Sequence, residues 1–290
     1  MMSQYRPSWL SFRRFAAFTT GLVLSLMMLG VYTAATGSGL ACSAQWPLCD
    51  NGLLPQTIPS FIEWFHRLVA MVAGFFILGT ALWAFSGDDL KTKTTAILAV
   101  VLLPLQVSIG AVTVTLNGLI PGGYAPSTQG AHLVVALTIF TALVLTTLRA
   151  YSTTWTRPAL DRARLASIVA LGLVPVSVVL SRVFTAVSYS PAAQAGFYGV
   201  SLALFAALVA ATVWLGETPA SRLRVPIVAA LGATFGALLL GRDLVFYTPA
   251  WRATNTVLFV LVSLLVGAVV WALRRQDTPV RQESRGVSGD

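Results

Sequence analysis

Eight stretches of the chain are apolar for long enough to cross a bilayer, and what separates them is mostly short, polar and basic. They cover residues 12–36, 61–86, 94–117, 128–150, 164–189, 192–215, 225–246 and 252–273, each near the ~20 residues that cross a hydrocarbon core as helix. In lipid every backbone N–H and C=O needs an internal partner, which makes such stretches helical. The pattern predicts an all-α integral membrane protein with eight transmembrane helices. These divide into two sets of four at the Arg-rich stretch 152–164, and the halves echo one another weakly. Val31-Tyr32-Thr33-Ala34 lies late in the first span and Val183-Phe184-Thr185-Ala186 late in the fifth. The expected architecture is two pseudo-repeated four-helix bundles, residues 1–151 and 152–273, related as a parallel repeat. A tail, 274–290, has too little apolar surface to fold alone and is expected to be disordered.

Composition agrees with the bilayer class: 56% of the 290 residues are hydrophobic and 10% charged, against about 25% charged in soluble chains. The formal net charge of +9 does not call for nucleic acid, because the basic residues flank the spans. Arg13, Arg14, Lys91, Lys93, Arg149, Arg164, Arg222 and Arg274 all fall on the side of the termini, whereas Arg242 and Arg252 mark the opposite helix ends. The positive-inside rule then places both termini in the cytoplasm of a multi-pass cell-membrane protein. The first span lacks a clear small-residue cleavage site and is expected to stay as a helix.

The chain has only two histidines and two cysteines, a very short list on which metal, heme or redox chemistry can draw. His66 stands in Phe61-Ile62-Glu63-Trp64-Phe65-His66-Arg67 at the outer end of the second span. His132 stands in Ser127-Thr128-Gln129-Gly130-Ala131-His132-Leu133 at the outer end of the fourth. Both helices enter from the same side, and at 1.5 Å per residue His66 sits roughly 8 Å below its helix start, with His132 equally shallow. Two imidazoles at matched depth on parallel helices can meet across a planar ligand; heme iron accepts axial imidazole, and helical bundles build such sites. The alternative is that each histidine is a hydrogen-bonded core or interfacial residue.

Glu63 shares a helix face with His66, and a carboxylate is expensive inside a membrane, which points to function. Its alternative is an i, i+4 ion pair with Arg67; an Arg67 that reached a heme propionate would free Glu63 for chemistry. Cys42 and Cys49 lie seven apart in an outer loop on the oxidising side, where a disulfide is expected. That bond is either a structural staple or a redox-active pair exchanging electrons with the site. In the second half the repeat lays Gln194 near Glu63, Phe197 near His66 and Asn255 near His132, so no second two-histidine site forms. Arg182, inside the fifth span, and Arg242-Asp243, near the outer end of the seventh, either pair for structure or bind a propionate.

At these residues the sequence resembles the heme A synthase family, whose members oxidise the C8 methyl group of heme O to the formyl of heme A. The resemblance is carried by Thr36-Gly37-Ser38-Gly39-Leu40, Cys42, Trp46-Pro47-Leu48-Cys49, Glu63-Trp64-Phe65-His66-Arg67, the stretch from Gln106 to Val114, and His132-Leu133. It implies an eight-helix fold in two four-helix halves, with His66 and His132 as axial iron ligands in the half that takes the substrate heme. It also implies Glu63 as the carboxylate needed for oxidation and Cys42 with Cys49 as the extracytoplasmic pair. Members of this length usually carry a second histidine pair for a heme B cofactor in the carboxy-terminal half; this chain lacks it. The implied activity is that of a heme O oxidising membrane oxidoreductase serving assembly of a heme-copper terminal oxidase. Heme O is then the substrate, and a heme O synthase and an electron acceptor are the partners. The alternative is a non-catalytic heme carrier or electron-transfer protein, and a transporter reading, drawn from the repeat and intramembrane charges, predicts no heme.

Overall fold

Each of the long apolar stretches becomes a helix where its flanking residues let one start and stop. The computed structural model describes residues 11–43, 45–115, 126–187, 190–241 and 248–275. Its helices are α1 (Phe12–Ala35), α2 (Ile58–Ala84), α3 (Leu90–Thr115), α4 (Pro126–Ala150), α5 (Ala159–Leu180), α6 (Pro191–Leu215), α7 (Arg224–Leu240) and α8 (Pro249–Arg275), with short 3-10 turns at Ser152–Thr154 and Ser221–Leu223. All eight are long and apolar enough to span a membrane, and among the described residues there is no β-strand. This is an all-α, multi-pass membrane protein.

The ends are set by local chemistry. α1 stops at Thr36-Gly37, where Gly37 takes φ +70° and the Ser38 N–H returns to the Thr33 carbonyl at 3.0 Å; glycine is the residue that enters this left-handed turn without a Cβ penalty. α2 begins at Ile58 because the Thr57 hydroxyl accepts the Ser60 N–H at 3.2 Å and Pro59 suits a first turn that needs no N–H partner. Asp89 does the same for α3, accepting the Lys91 and Thr92 N–H groups at 3.2 and 3.1 Å.

The largest difference from the expected spans is α5. It starts at Ala159, straight after Pro158, and takes Asp161, Arg162 and Arg164 into its first turns, where a charged residue at the membrane edge costs little. Its end moves with its start, to Leu180, so Arg182 lies past the helix rather than inside it. The expected Arg242-Asp243 pair and the tail beyond Arg275 lie outside the described residues.

The described residues form two compact units, one within Met1–Trp155 and Ala186–Gly199, the other within Thr156–Thr185, Val200–Gly241 and Thr248–Asp290. In the first, α1 packs on α2 and α4, and α3 packs on the same two helices, which puts α2 and α4 on a diagonal. Its interfaces use small side chains such as Ala16, Ala73, Ala81, Ala96 and Ala99, as helices in lipid must approach closely to gain packing energy. Larger side chains such as Phe75, Leu82 and Val107 face outward. Hydroxyl pairs tie the helices together: Thr19 to Thr80 at 3.0 Å, Thr20 to Thr147 at 2.8 Å and Thr146 to Thr95 at 2.9 Å. In the second unit α8 packs on both α5 and α7, with Ala163, Ala170, Ala230, Val262 and Val266 in its interior.

Candidate functional site

The site lies in the first unit, where α2 and α4 begin. His66 is eight residues into α2 and His132 six residues into α4, depths of about 12 and about 9 Å at 1.5 Å per residue. Counted from their own helix starts the two positions differ by less than a turn, and α2 starts three residues earlier than its apolar pattern indicates. Each imidazole rests on a glycine of a neighbouring helix. A Cβ at Gly30 of α1 would come within 3.0 Å of His66 Cε1, and one at Gly110 of α3 within 3.3 Å of His132 Cε1. Both Nδ1 atoms are shielded from solvent. The Gln106 side-chain nitrogen, one turn before Gly110, lies 3.1 Å from His132 Nε2. The two glycines thus make room for the rings, and the rings stand on diagonal helices of one bundle.

Around Glu63 the loop between α1 and α2 folds back onto α2. Cys42 and Cys49 are joined as a disulfide, and both sulfurs sit against the Ser60 carbonyl, at 3.4 and 3.8 Å. Glu63 is 2% exposed. Its Oε2 accepts the Cys42 N–H at 2.6 Å, and its Oε1 pairs with the Arg67 guanidinium. Arg67 donates onward to the Gln45 carbonyl at 2.6 Å and the Ser43 carbonyl at 2.8 Å. The i, i+4 ion pair is formed, and it clamps the disulfide loop to the helix that bears His66. Three of Arg67's five N–H donors serve this clamp.

The lower part of the loop is held separately. Asp50 accepts the Gln56 N–H at 2.8 Å and the Ser60 hydroxyl at 2.9 Å. The Gln56 amide first, and then the Ser60 hydroxyl, hold its carboxyl below the usual carboxylate range. Trp64 Nε1–H donates to the Pro47 carbonyl at 3.2 Å.

Residues 56–281 match the family described as cytochrome oxidase assembly protein, and relatives named heme A synthase fall on the same chain. One, from Bacillus licheniformis, is 34% identical over 133 residues, 45% of this chain and 42% of the relative. Another, from Geobacillus kaustophilus, is 34% identical over 142 residues, 48% of this chain and 43% of the relative. The chain belongs to the heme A synthase family. A protein named protoheme IX farnesyltransferase, from Halobacterium salinarum, is also similar, 36% identical over 125 residues, 42% of this chain and 27% of that protein. The chain matches less than half the length of each of these relatives.

Within this heme A synthase family member, Glu63, Arg67, Cys42 and Cys49 are brought into one cluster, whereas His66 and His132 are held on their separate helices. The residue types fit a heme: two imidazoles at one end of a bundle, cradled by glycines, with a guanidinium at the rim. Gln194, Phe197 and Asn255, the counterparts expected in the second half, are all buried and include no axial ligand. Sequence reading overlooked Gly30, Gly110 and Gln106 as individuals. A glycine four residues from a polar side chain inside an apolar span, as Gln106 and Gly110 are, was the available signal.

Proposed function

We propose that this protein acts in heme A biosynthesis as a heme O oxidising membrane oxidoreductase, converting the C8 methyl group of heme O to a formyl. His66 and His132 hold the iron of the substrate, and Arg67 takes a propionate with its remaining donors while keeping the loop in place. Bound between imidazoles, heme supplies the macrocycle on whose edge the oxidised carbon sits. Glu63, three residues from His66 on the same face, stabilises positive charge that develops at the carbon and receives a proton as the aldehyde forms. Its bond to the Cys42 amide orients the carboxylate, and the stapled loop keeps bulk water from that end of the bundle. The formyl oxygen comes from water: methyl plus one water gives formyl, four protons and four electrons, with Glu63 taking up protons and the electrons passing to an acceptor partner.

The observation that carries this reading is the pair of glycine-cradled histidines on diagonal helices with a buried carboxylate one turn away. The similarity to about a quarter of a farnesyltransferase supports a heme O synthase as delivery partner. Both termini lie in the cytoplasm of the cell membrane, and the disulfide loop faces outward. A second reading, a non-catalytic heme carrier, draws on Glu63 being engaged by both Cys42 and Arg67.

Hemes extracted from protein co-expressed with a heme O synthase separate these readings. Heme A or its alcohol precursor is expected from the wild type, with heme O alone from Glu63→Gln. Heme O from both identifies a carrier, and conversion by the variant removes Glu63 from the mechanism.

A further inference from the structure

His132 Nε2 is the ring nitrogen that would give its lone pair to iron in the proposed site, and in this structure it is already engaged. The Gln106 carboxamide nitrogen is 3.1 Å away, and Gly110, one turn along α3, lets the ring lie close against the helix. When the amide donates, the imidazole carries its proton on Nδ1 and spends the Nε2 lone pair on Gln106. When the carboxamide is turned, Nε2 carries the proton instead. In either arrangement Nε2 cannot bind a metal until Gln106 lets go. The other end of the same carboxamide, Oε1, is buried with no hydrogen-bond partner among the described residues. A buried amide that satisfies only one of its ends is a costly thing to keep in an apolar bundle.

We infer that Gln106 is a latch on His132: it holds the imidazole in the heme-free protein and competes with iron for Nε2, so that heme entry requires the carboxamide to swing away. This rests on the two-histidine heme site proposed above. The competition makes heme exchangeable, as suits a site that must receive a substrate and release a product rather than keep a permanent cofactor. A neutral side-chain hydrogen bond contributes about 1 kcal/mol net, so removing the latch tightens heme binding by about fivefold.

Gln106→Met keeps the length and removes both polar ends. Purified, heme-depleted wild type and variant, matched for helix content, are titrated with hemin in detergent and followed by the Soret band. The low-spin bis-imidazole signal is read by electron paramagnetic resonance, and His132→Ala is the control. The inference expects that low-spin signal in wild type and in Gln106→Met, its loss in His132→Ala, and a several-fold lower Kd for hemin with a faster on-rate in Gln106→Met. An unchanged or higher Kd in Gln106→Met, with the signal intact, overturns the latch and leaves the heme site standing. Gln106→Glu provides a second check if the methionine variant fails to fold. Its carboxylate holds the Nε2–H form more strongly, so hemin should bind more slowly and weakly than to wild type, and equal binding overturns the latch. A wild type without the low-spin signal, or one that keeps it in His132→Ala, overturns the two-histidine site and the latch together.

Discussion

Replacing Glu63 by Gln tests the clamp as a physical object, apart from any chemistry at the heme. The carboxylate accepts from the Cys42 amide at 2.6 Å and pairs with Arg67; glutamine offers one acceptor oxygen and one donor nitrogen in the same volume. One of the two contacts therefore turns into donor against donor, and Arg67 keeps its two loop carbonyls without its counter-charge. Breaking a fully buried pair costs about 3–5 kcal/mol, and an exposed one about 0–1 kcal/mol. With side-chain exposures of 3% for Glu63 and 20% for Arg67, the loop should lose about 2 kcal/mol of docking, between those limits. Hydrogen exchange of a peptide covering residues 42–49 in detergent reads that quantity directly, since local opening sets the rate. Exchange should speed up about thirtyfold, while peptides from α7 and α8 stay unchanged. An acceleration of about fivefold or less, the range of an exposed pair, refutes the clamp.

Two further outcomes follow from the same geometry. Gly30→Ala puts a methyl 3.0 Å from His66 Cε1, so the ring must give by a few tenths of an ångström, and purified protein should carry less heme with an altered low-spin signal. Gly74→Ala, which meets nothing within 4 Å, should bind heme normally and gain up to ~1 kcal/mol of helix stability; equal heme content in the two variants refutes the cradle. Asp50 is held below its ordinary range by the Gln56 amide and the Ser60 hydroxyl. Its contribution to loop docking is thus complete above about pH 4, the unfolded value, and fades as pH falls through the lower folded value. Protection of residues 50–60, taken relative to the intrinsic exchange rate at each pH, should fall on acidification in wild type and lose that dependence in Asp50→Asn.

Much of this protein can be read before any folding is considered. A run of apolar residues long enough to cross a bilayer leaves its backbone no choice but helix, so the eight elements follow from hydropathy alone, within a few residues. The exceptions show what hydropathy does not register. α2 starts three residues early because Thr57 caps it, and α5 shifts because a Pro158 boundary outweighs the charges behind it. The spacing of Glu63, His66 and Arg67 fixes their shared region of one helix, and the resemblance to heme A synthases rests in part on those same residues.

What spacing along one helix cannot decide is what lies across from it. Whether Glu63 is open to substrate or committed to Arg67 and Cys42 depends on how the loop from α1 returns over α2, a matter of some twenty residues of non-repetitive backbone stapled between Cys42 and Cys49. The diagonal placement of α2 and α4, which turns two matched histidines into one candidate site, depends on α1 and α3 packing between them. Gly30, Gly110 and Gln106 acquire meaning only there, because a missing Cβ or a single carboxamide matters through the side chain of another helix. Sequence determined the helices and the chemical inventory of this protein, since both are set by local energetics in lipid. The tertiary structure alone decided which of those groups meet, since that depends on contacts between residues far apart in the chain.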